Sequence, residues 1–442
     1  MQRAAAWRGW FFALMTLALA LRLGMAFVYA PAHDSDTQSY LNIARLLHSL
    51  TLHGNDATRP PVYPGLIALL QLDERAVWAA QSTMGLAVSA MLFLVTWRLT
   101  GRAWLAFLAG AAHSLNLAQL FFEGMILSET TTTFLFAASL TLLFLRFRAE
   151  ERWPWTELVL GVLAGLLALT RPQMLFWSAV LIPLAWLRRR AQPWGARVAA
   201  LALLTMPIVM LVLGWSFINW RTAGYFGPTS LTGYSLSNMV GNFMEYAPDK
   251  YAAVRDIYLE HRAARVAATG NHAMTVWAAF FDLSRAADVD YSGLSRLLTE
   301  ISLKLIVAHP VLYLGNVVQS WIGFWKVPVY WDLDLIHPHV LMSIVRNSWN
   351  VERAMLLAVN FAFLVMGAAW TIRWVMRKLE GIEPVLLGGW MIVLAGSLSQ
   401  ALVEYGENPR YGAPFESLMV WTVIVGAWLL AGRRARPAAR VA

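Results

Sequence analysis

The chain has 442 residues, of which 58% are hydrophobic and 14% are charged, and it carries a formal net charge of +9. Its mean hydropathy of +0.52 and its repeated apolar runs exclude an ordinary soluble enzyme and predict an all-α polytopic membrane protein. The chain has no cysteine, which excludes disulfides, thiolate metal sites and cysteine nucleophiles. Its arginines cluster at the ends of apolar segments instead of forming a continuous basic face, so the positive charge predicts membrane orientation and not nucleic-acid binding.

The first apolar segment, residues 10–29, sets the orientation. It is too long for a signal-peptide core and lacks a small-residue cleavage pattern, so we expect it to span the membrane. Arg3 and Arg8 precede it, and no comparable basic cluster follows it. The positive-inside rule therefore predicts a cytoplasmic N-terminus and an outer location for the loop of residues 30–75.

That first outer loop combines acids and an arginine beside the membrane. Asp34 and Asp36 lie near its start, and Arg59 follows before a pair of prolines. Ionisable groups at such a position indicate function, but Asp36 also precedes apolar residues at helical spacing and could simply cap an interfacial helix. His33 beside Asp34 is a weak metal-site candidate, because no spaced third ligand accompanies the pair.

Further spans follow in chain order, at positions that place the basic clusters on the cytoplasmic side. They are predicted at residues 76–96, 103–122, 128–145, 199–217, 351–372, 384–403 and 414–430, with two shorter arms in an apolar hairpin at 157–186. The hairpin is interrupted at Thr170-Arg171-Pro172, and each arm is short for a bilayer core of about 30 Å. The pattern predicts about ten crossings with both termini inside.

Between the two halves lies a polar region that the parity of the spans places outside. Residues 218–242 are rich in Gly, Ser and Thr and predict irregular backbone, whereas residues 251–265 favour a helix. Residues 311–325 are apolar enough to span, but we expect them to lie on or dip into the outer leaflet, with Tyr313, Asn316 and Gln319 forming a polar stripe. The chain thus divides into an N-terminal transmembrane half (1–217), an outer region (218–350) and a C-terminal transmembrane part (351–442).

This topology gathers unusual polar residues at one face of the membrane: Asp34, Asp36, Arg59, Glu129, Arg171, Arg221, Glu404, Glu407 and Arg410. They could surround one cavity. For Arg22, Arg171 and Arg410 the simpler alternative is that each arginine reaches towards the interface as an anchor. For Tyr63 and Tyr411 it is membership of an interfacial aromatic belt.

Several motifs resemble the GT-C membrane glycosyltransferases, in the branch of the protein O-mannosyltransferases and the aminoarabinose transferase of lipid A. The resemblance starts in the first outer loop, with Asp36-Thr-Gln-Ser-Tyr40 and Arg59-Pro-Pro-Val-Tyr-Pro64. It continues with Leu127-Ser128-Glu129, Leu169-Thr170-Arg171-Pro172, Gly227-Pro228-Thr229-Ser230, Gly241-Asn242, His309-Pro310 and Arg410-Tyr411. One departure is that several relatives have an Asp-Glu pair where this chain has Asp36-Thr37.

The resemblance implies a GT-C-like bundle with outer loops and interfacial helices, facing the periplasm from a bacterial inner membrane. The implied reaction transfers a sugar, with inversion, from a polyprenyl-phosphate donor to a hydroxyl of a lipid, glycan or protein acceptor. Asp36 is the expected general base, with Asp34 as the fallback, and Arg59 and Arg410 are the expected phosphate ligands. The expected substrate contacts are Tyr40, Tyr63, Glu129, Arg171, Arg221, Asn242 and Tyr411. The sequence predicts no certain cofactor and leaves a divalent metal open.

Two other functions compete with transfer. A lipid-linked sugar transporter or flippase would place paired charges near mid-bilayer and often shows inverted repeats, which this sequence lacks. A noncatalytic scaffold of the same fold would bind a lipid or polysaccharide for a partner. Replacement of Asp36 discriminates, because a scaffold would keep working.

Overall fold

The computed structural model describes residues 2–147 and 154–434, with side chains from residue 7 to residue 432. In those ranges the chain is helical, and its only β-type pairing is an isolated parallel bridge between Ala32 and Met125. The α-helices are α1 (Gln2–Val28), α2 (Thr37–His48), α3 (Val62–Leu69), α4 (Glu74–Thr100), α5 (Ala103–Leu115), α6 (Leu117–Gly124), α7 (Glu129–Arg146), α8 (Trp155–Ala168), α9 (Phe176–Arg188), α10 (Trp194–Ala223), α11 (Thr232–Val240), α12 (Ala252–Thr269), α13 (Thr275–Ala287), α14 (Tyr291–Ala308), α15 (Pro310–Phe324), α16 (Val340–Val375), α17 (Glu383–Ala401) and α18 (Ala413–Arg434). Arg148, Arg152, Arg436 and Arg440 of the predicted cytoplasmic clusters lie outside the described residues.

Six helices in the described ranges are long and apolar enough to cross a membrane: α1, α4, α10, α16, α17 and the last helix with its first turn. Two bent pairs, α5 with α6 and α14 with α15, raise the number to eight if each counts as one span. The sequence-based number of about ten also includes α7, α8 and α9, which are 18, 14 and 13 residues long. The polytopic helical fold is thus confirmed, and crossings by these three shorter helices stay a prediction.

Capping residues define the ends of the long apolar helices α4 and α10. The side chain of Asp73 accepts hydrogen bonds from the first backbone amides of α4, and Gly101 ends that helix with a positive φ of 66°. Gly224 ends α10 in the same way, at φ 64°. These capping residues fix where each helix ends and where the neighbouring loop begins.

The outer region is more regular than the sequence predicts. The expectation of irregular backbone over 218–242 is wrong for two parts, because α10 runs to Ala223 and α11 covers Thr232–Val240. The physical reason is burial: Tyr234, Met239 and Val240 are all buried, and Tyr234 and Val240 join a compact core with α12, α13 and α14. Apolar residues at helical spacing here outweigh the turn-forming composition.

The segment predicted to lie at the outer leaflet forms α15, which meets α14 at an angle of 107° beside His309 and Pro310. Its polar stripe contacts protein. The Tyr313 hydroxyl donates to the Leu402 carbonyl at 2.7 Å, and the Asn316 amide donates to the Met239 carbonyl at 2.7 Å. The Gln319 side chain accepts from the Tyr405 hydroxyl at 2.9 Å. The stripe therefore joins the outer region to the loop between α17 and α18.

We predict that the outer loops and the helix ends near Arg190 and Arg377 lie on opposite sides of the membrane. Because the chain has no cysteine, single replacements Ala253→Cys, His337→Cys, Arg190→Cys and Arg377→Cys can be tested with a membrane-impermeant thiol reagent in intact cells. All four positions are exposed. We expect labelling at 253 and 337 only, with 190 and 377 labelled after permeabilisation. Labelling at 253 with protection at 337 would mean that α15 crosses the membrane.

Candidate active site

Five side chains that are distant in sequence form a chain of alternating charge. Arg59 Nη2 lies 2.5 Å from Asp36 Oδ1, and Arg410 Nη1 lies 2.7 Å from Asp36 Oδ2. Arg410 also donates through Nε to Glu129 Oε1, which accepts from Arg171 Nη1 at 3.0 Å. We call this row, Arg171–Glu129–Arg410–Asp36–Arg59, the charge ladder.

The ladder runs from the protein interior to a cavity. The Arg410 and Glu129 side chains are each only 1% exposed, whereas the side chain of Asp36 is 27% exposed. Two buried atoms, Glu129 Oε2 and Arg410 Nη2, have no hydrogen-bond partner within the described residues. Buried charged atoms without a partner carry a desolvation cost.

Each arginine of the ladder also lies over an aromatic ring. The guanidinium carbon of Arg59 is 4.5 Å from the centroid of Tyr40, and that of Arg171 is 4.8 Å from Tyr411. Arg410 lies 5.5 Å from the centroid of Tyr330. These contacts orient the planar guanidinium groups.

The loop before the two prolines is fixed from several directions, which positions Arg59. Asn55 Nδ2 donates to Asn219 Oδ1 at 3.1 Å at the end of α10, and the Asp56 carboxylate accepts from the amide and the hydroxyl of Thr58. The segment after α10 closes over this loop, because the Thr229 hydroxyl donates to the Thr58 carbonyl at 2.7 Å. Arg59 thus enters the cavity from a rigid support.

Glu129 and Arg171 come from breaks between helices. Glu129 is the first residue of α7, after an extended segment whose Ile126 amide donates to the Ala32 carbonyl at 3.0 Å. Arg171 lies between α8 and α9 at the interruption predicted from the sequence, where the Val62 amide donates to the Leu169 carbonyl. Both breaks are tied to the first outer loop.

Arg410 opens a short 3₁₀ turn before α18, and Asn408 holds the loop that precedes it. The Asn408 amide donates to the Gln400 side chain at 3.0 Å and to the Glu404 carbonyl at 2.8 Å, and Asn408 Oδ1 accepts from the Gly406 amide. This buried network fixes the loop's shape. Arg410, in the loop between α17 and α18, thereby meets Asp36 at the start of α2.

The ladder lines a cavity of about 520 Å³ between the first outer loop, the α8–α9 break, α11 and the loop before α18. Asp36, Tyr40, Arg59, Arg171, Arg410 and Tyr411 of the predicted site residues all line it. So do Glu404 and Glu407, which the sequence analysis noted as outer polar residues without giving them a role. In the sequence, Glu404 and Glu407 can be recognised by their positions, six and three residues before Arg410.

The cavity shifts the acidities of its carboxyl groups in opposite directions. Burial raises the pKa of Asp36, but Arg59 and Arg410 outweigh it and lower that pKa to about 2. Burial raises the pKa of Glu407, and burial raises the pKa of Glu404 to about 8. Asp36 is therefore the firmly ionised carboxylate of this cavity at neutral pH.

Several simpler alternatives are wrong. Asp36 occupies the N-cap position of α2, yet its side chain makes no capping hydrogen bond, because both oxygens face arginines. Arg171 and Arg410 are not interfacial anchors but buried ion-pair partners, and so is Arg22, which lies 2.5 Å from Glu123. Tyr63 is fully buried with its ring edge-on to Tyr40, at 5.0 Å between centroids, so it is no belt residue.

Three other predicted residues lie apart from the ladder. Arg221 is exposed near the end of α10, and Asn242 pairs with Asn316 beside a different cavity. The Asp34 carboxylate accepts from the Ser35 amide at 2.6 Å, and Asp34 does not line the cavity.

The two metal candidates do not converge. His33 Nε2 lies 3.0 Å from Glu74 Oε2 on the surface. In residues 2–147 and 154–434 no group of three or more His, Asp or Glu residues is arranged to hold a metal ion.

Comparisons with solved structures find membrane glycosyltransferases. An oligosaccharyltransferase of Archaeoglobus fulgidus, crystallised with a tethered acceptor peptide, aligns with a TM-score of 0.48 and 13% identity over 97% of this chain and 51% of that chain. ArnT of Cupriavidus metallidurans bound to undecaprenyl phosphate aligns with a TM-score of 0.36 and 16% identity over 97% and 80% of the two chains. This chain thus spans about half the length of the archaeal enzyme.

No protein-family model and no curated protein sequence matches the chain.

We predict that Arg410→Ala destabilises the protein strongly. It leaves the buried Glu129 without one of its two cationic partners, which typically costs about 3–5 kcal/mol. Thermal unfolding of the detergent-solubilised protein measures the loss. Arg221→Ala, at an exposed arginine, is the matched control and should change stability by no more than about 0.5 kcal/mol. Equal effects of the two variants would contradict a structural role for the ladder.

Proposed function

We propose that the protein is a membrane glycosyltransferase that moves a sugar from a polyprenyl-phosphate donor to an acceptor hydroxyl. The observation that carries the proposal is the contact of Asp36 with both Arg59 and Arg410 at the wall of one cavity. A carboxylate and two guanidinium groups are the parts that this reaction needs: a proton acceptor and fixed cations for a phosphate.

The reaction balances with these groups alone. The acceptor oxygen bonds to the anomeric carbon of the sugar, and the bond from that carbon to the phosphate oxygen breaks with inversion. The acceptor proton passes to Asp36. The leaving polyprenyl phosphate gains one negative charge as it departs, so it needs no general acid, and Arg59 and Arg410 stabilise that charge.

The same arginines explain how a carboxyl group of pKa about 2 can serve as a base. A base works best when its pKa is near the working pH, and the free protein holds Asp36 far below it. A donor phosphate that binds Arg59 and Arg410 competes with Asp36 for their N–H groups. Loss of these contacts raises the pKa of Asp36 in the donor complex, so the base becomes effective when the donor is present.

The surroundings of the cavity suit a lipid-linked donor. Leu175 and Val403 line the cavity and are 45% and 40% exposed, at the ends of helices that would face hydrocarbon. Leu175 directly precedes α9, and Val403 follows the end of α17 by two residues. The prenyl tail would leave the cavity there, with the phosphate held at the arginines. A multi-pass location in a bacterial inner membrane, with this cavity on the periplasmic side, fits the proposal.

We expect Asp36→Asn to reduce transfer at least about 100-fold, the lower limit for loss of general-base catalysis. Transfer from undecaprenyl-phosphate sugars can be followed into endogenous acceptors of native membrane vesicles. Undecaprenyl phosphate itself should bind the variant as tightly as the unchanged protein or more tightly, since a competing anion is gone. Retention of more than about a tenth of the activity would remove Asp36 as the base and favour a scaffold.

Arg59→Lys should weaken the binding of undecaprenyl phosphate about tenfold, because an ammonium group cannot engage two phosphate oxygens as a planar fork. Arg45→Lys is the matched control, because Arg45 is exposed on α2 and its guanidinium donates to Asn42 Oδ1 on the same helix. Affinities measured on protein in nanodiscs would contradict the assignment if both variants bound equally well.

A further inference from the structure

A second cavity of about 510 Å³ lies beside the first, on the far side of the loop before α18. Tyr405 lines the second cavity, whereas Glu404 and Glu407 line the first. Since consecutive Cα atoms are only about 3.8 Å apart, the two cavities share this loop as a wall. A ligand in the second cavity would therefore lie close to the charge ladder.

Gly406 shapes this loop. Its φ is +124°, a conformation that L side chains rarely adopt, and a Cβ there would lie 3.0 Å from the Cβ of Ala273. The turn between Tyr405 and Glu407 therefore requires a glycine.

The lining of the second cavity is polar and aromatic without a net charge. The rings of His272 and Tyr405 stack with centroids 4.7 Å apart, at an angle of 20°. Asn242 and Gln319 supply amide groups, and Arg262 is neutralised by Glu245 at 2.6 Å. His272 Nε2 is buried and has no hydrogen-bond partner in the part of the chain that the structure describes.

An aromatic pair with side-chain amides and no excess charge suits an uncharged ligand that is rich in hydroxyl groups. A phosphate would prefer the ladder, where the guanidinium groups of Arg59, Arg171 and Arg410 converge. An apolar ligand would leave the amides unsatisfied. The chemistry that fits is a neutral sugar chain.

We propose that the second cavity binds the glycan chain of the acceptor and presents its terminal hydroxyl, past the loop of residues 404–407, to Asp36. This inference rests on the proposed transfer reaction and names its acceptor class as a glycan. Tyr405 and His272 form the platform for a sugar ring, and Gln319 fixes the Tyr405 hydroxyl at 2.9 Å.

The test is saturation-transfer NMR on the full chain in nanodiscs, with cellotriose, maltotriose and chitotriose as probes. We expect at least one trisaccharide to bind, and Tyr405→Ala to weaken its affinity at least about tenfold. Tyr246→Ala is the matched control, because the ring of Tyr246 also packs against a histidine, His309, with centroids 4.5 Å apart, but Tyr246 lies outside the cavity. It should leave binding unchanged.

Trisaccharide binding is measured without donor and without transfer, so a failure of the catalytic proposal can be told from a failure of this one. Absence of binding by all three probes, or equal binding to the Tyr405→Ala variant, would overturn the second site. If the second cavity instead holds a glycan that belongs to the donor, Tyr405→Ala will raise the KM for the donor and not the KM for the acceptor. In that case a free trisaccharide, added with undecaprenyl phosphate, will have no effect on the reaction of the acceptor. That outcome overturns the acceptor assignment.

Discussion

The ion pairs of Arg410 are the constraint on which the rest of this structure depends. Through Glu129 and Asp36, this buried residue joins the start of α7 and the first outer loop to the loop before α18. Buried charges are tolerated only when they are paired, so the elements that carry these residues must come together before the bundle is stable. The same ion pairs thus position the site and hold the helices of the bundle together.

The ladder also explains why its two ends differ. Arg171, Glu129 and Arg410 are almost fully enclosed, and Arg171 and Arg410 also border the cavity. Asp36 and Arg59 lie at the cavity, where a ligand can exchange with their mutual contact. In the proposed reaction, such an exchange makes the basicity of Asp36 depend on the bound donor. The donor phosphate would then act both as a substrate group and as the trigger of proton transfer.

The sequence predicts the helical membrane fold and most of the polar residues that meet, because apolar length, basic clusters and parity are local or additive signals. It does not predict that Asp36 pairs with Arg410, since 374 residues separate them and the capping position gives the same local pattern. Nor does the sequence predict the position of Asn242, which lines the second cavity and pairs with Asn316 of another helix. The sequence does not predict helix α11, because its apolar residues form a buried face only when α14 packs against them.

The most direct test of the central claim is a cryo-EM structure of the protein with undecaprenyl phosphate bound. The account predicts phosphate oxygens about 2.7–2.9 Å from the guanidinium nitrogens of both Arg59 and Arg410. It also predicts that Asp36 has lost at least one of its two arginine contacts and faces the open part of the cavity. A phosphate bound elsewhere, with both arginine contacts of Asp36 intact, would contradict the account.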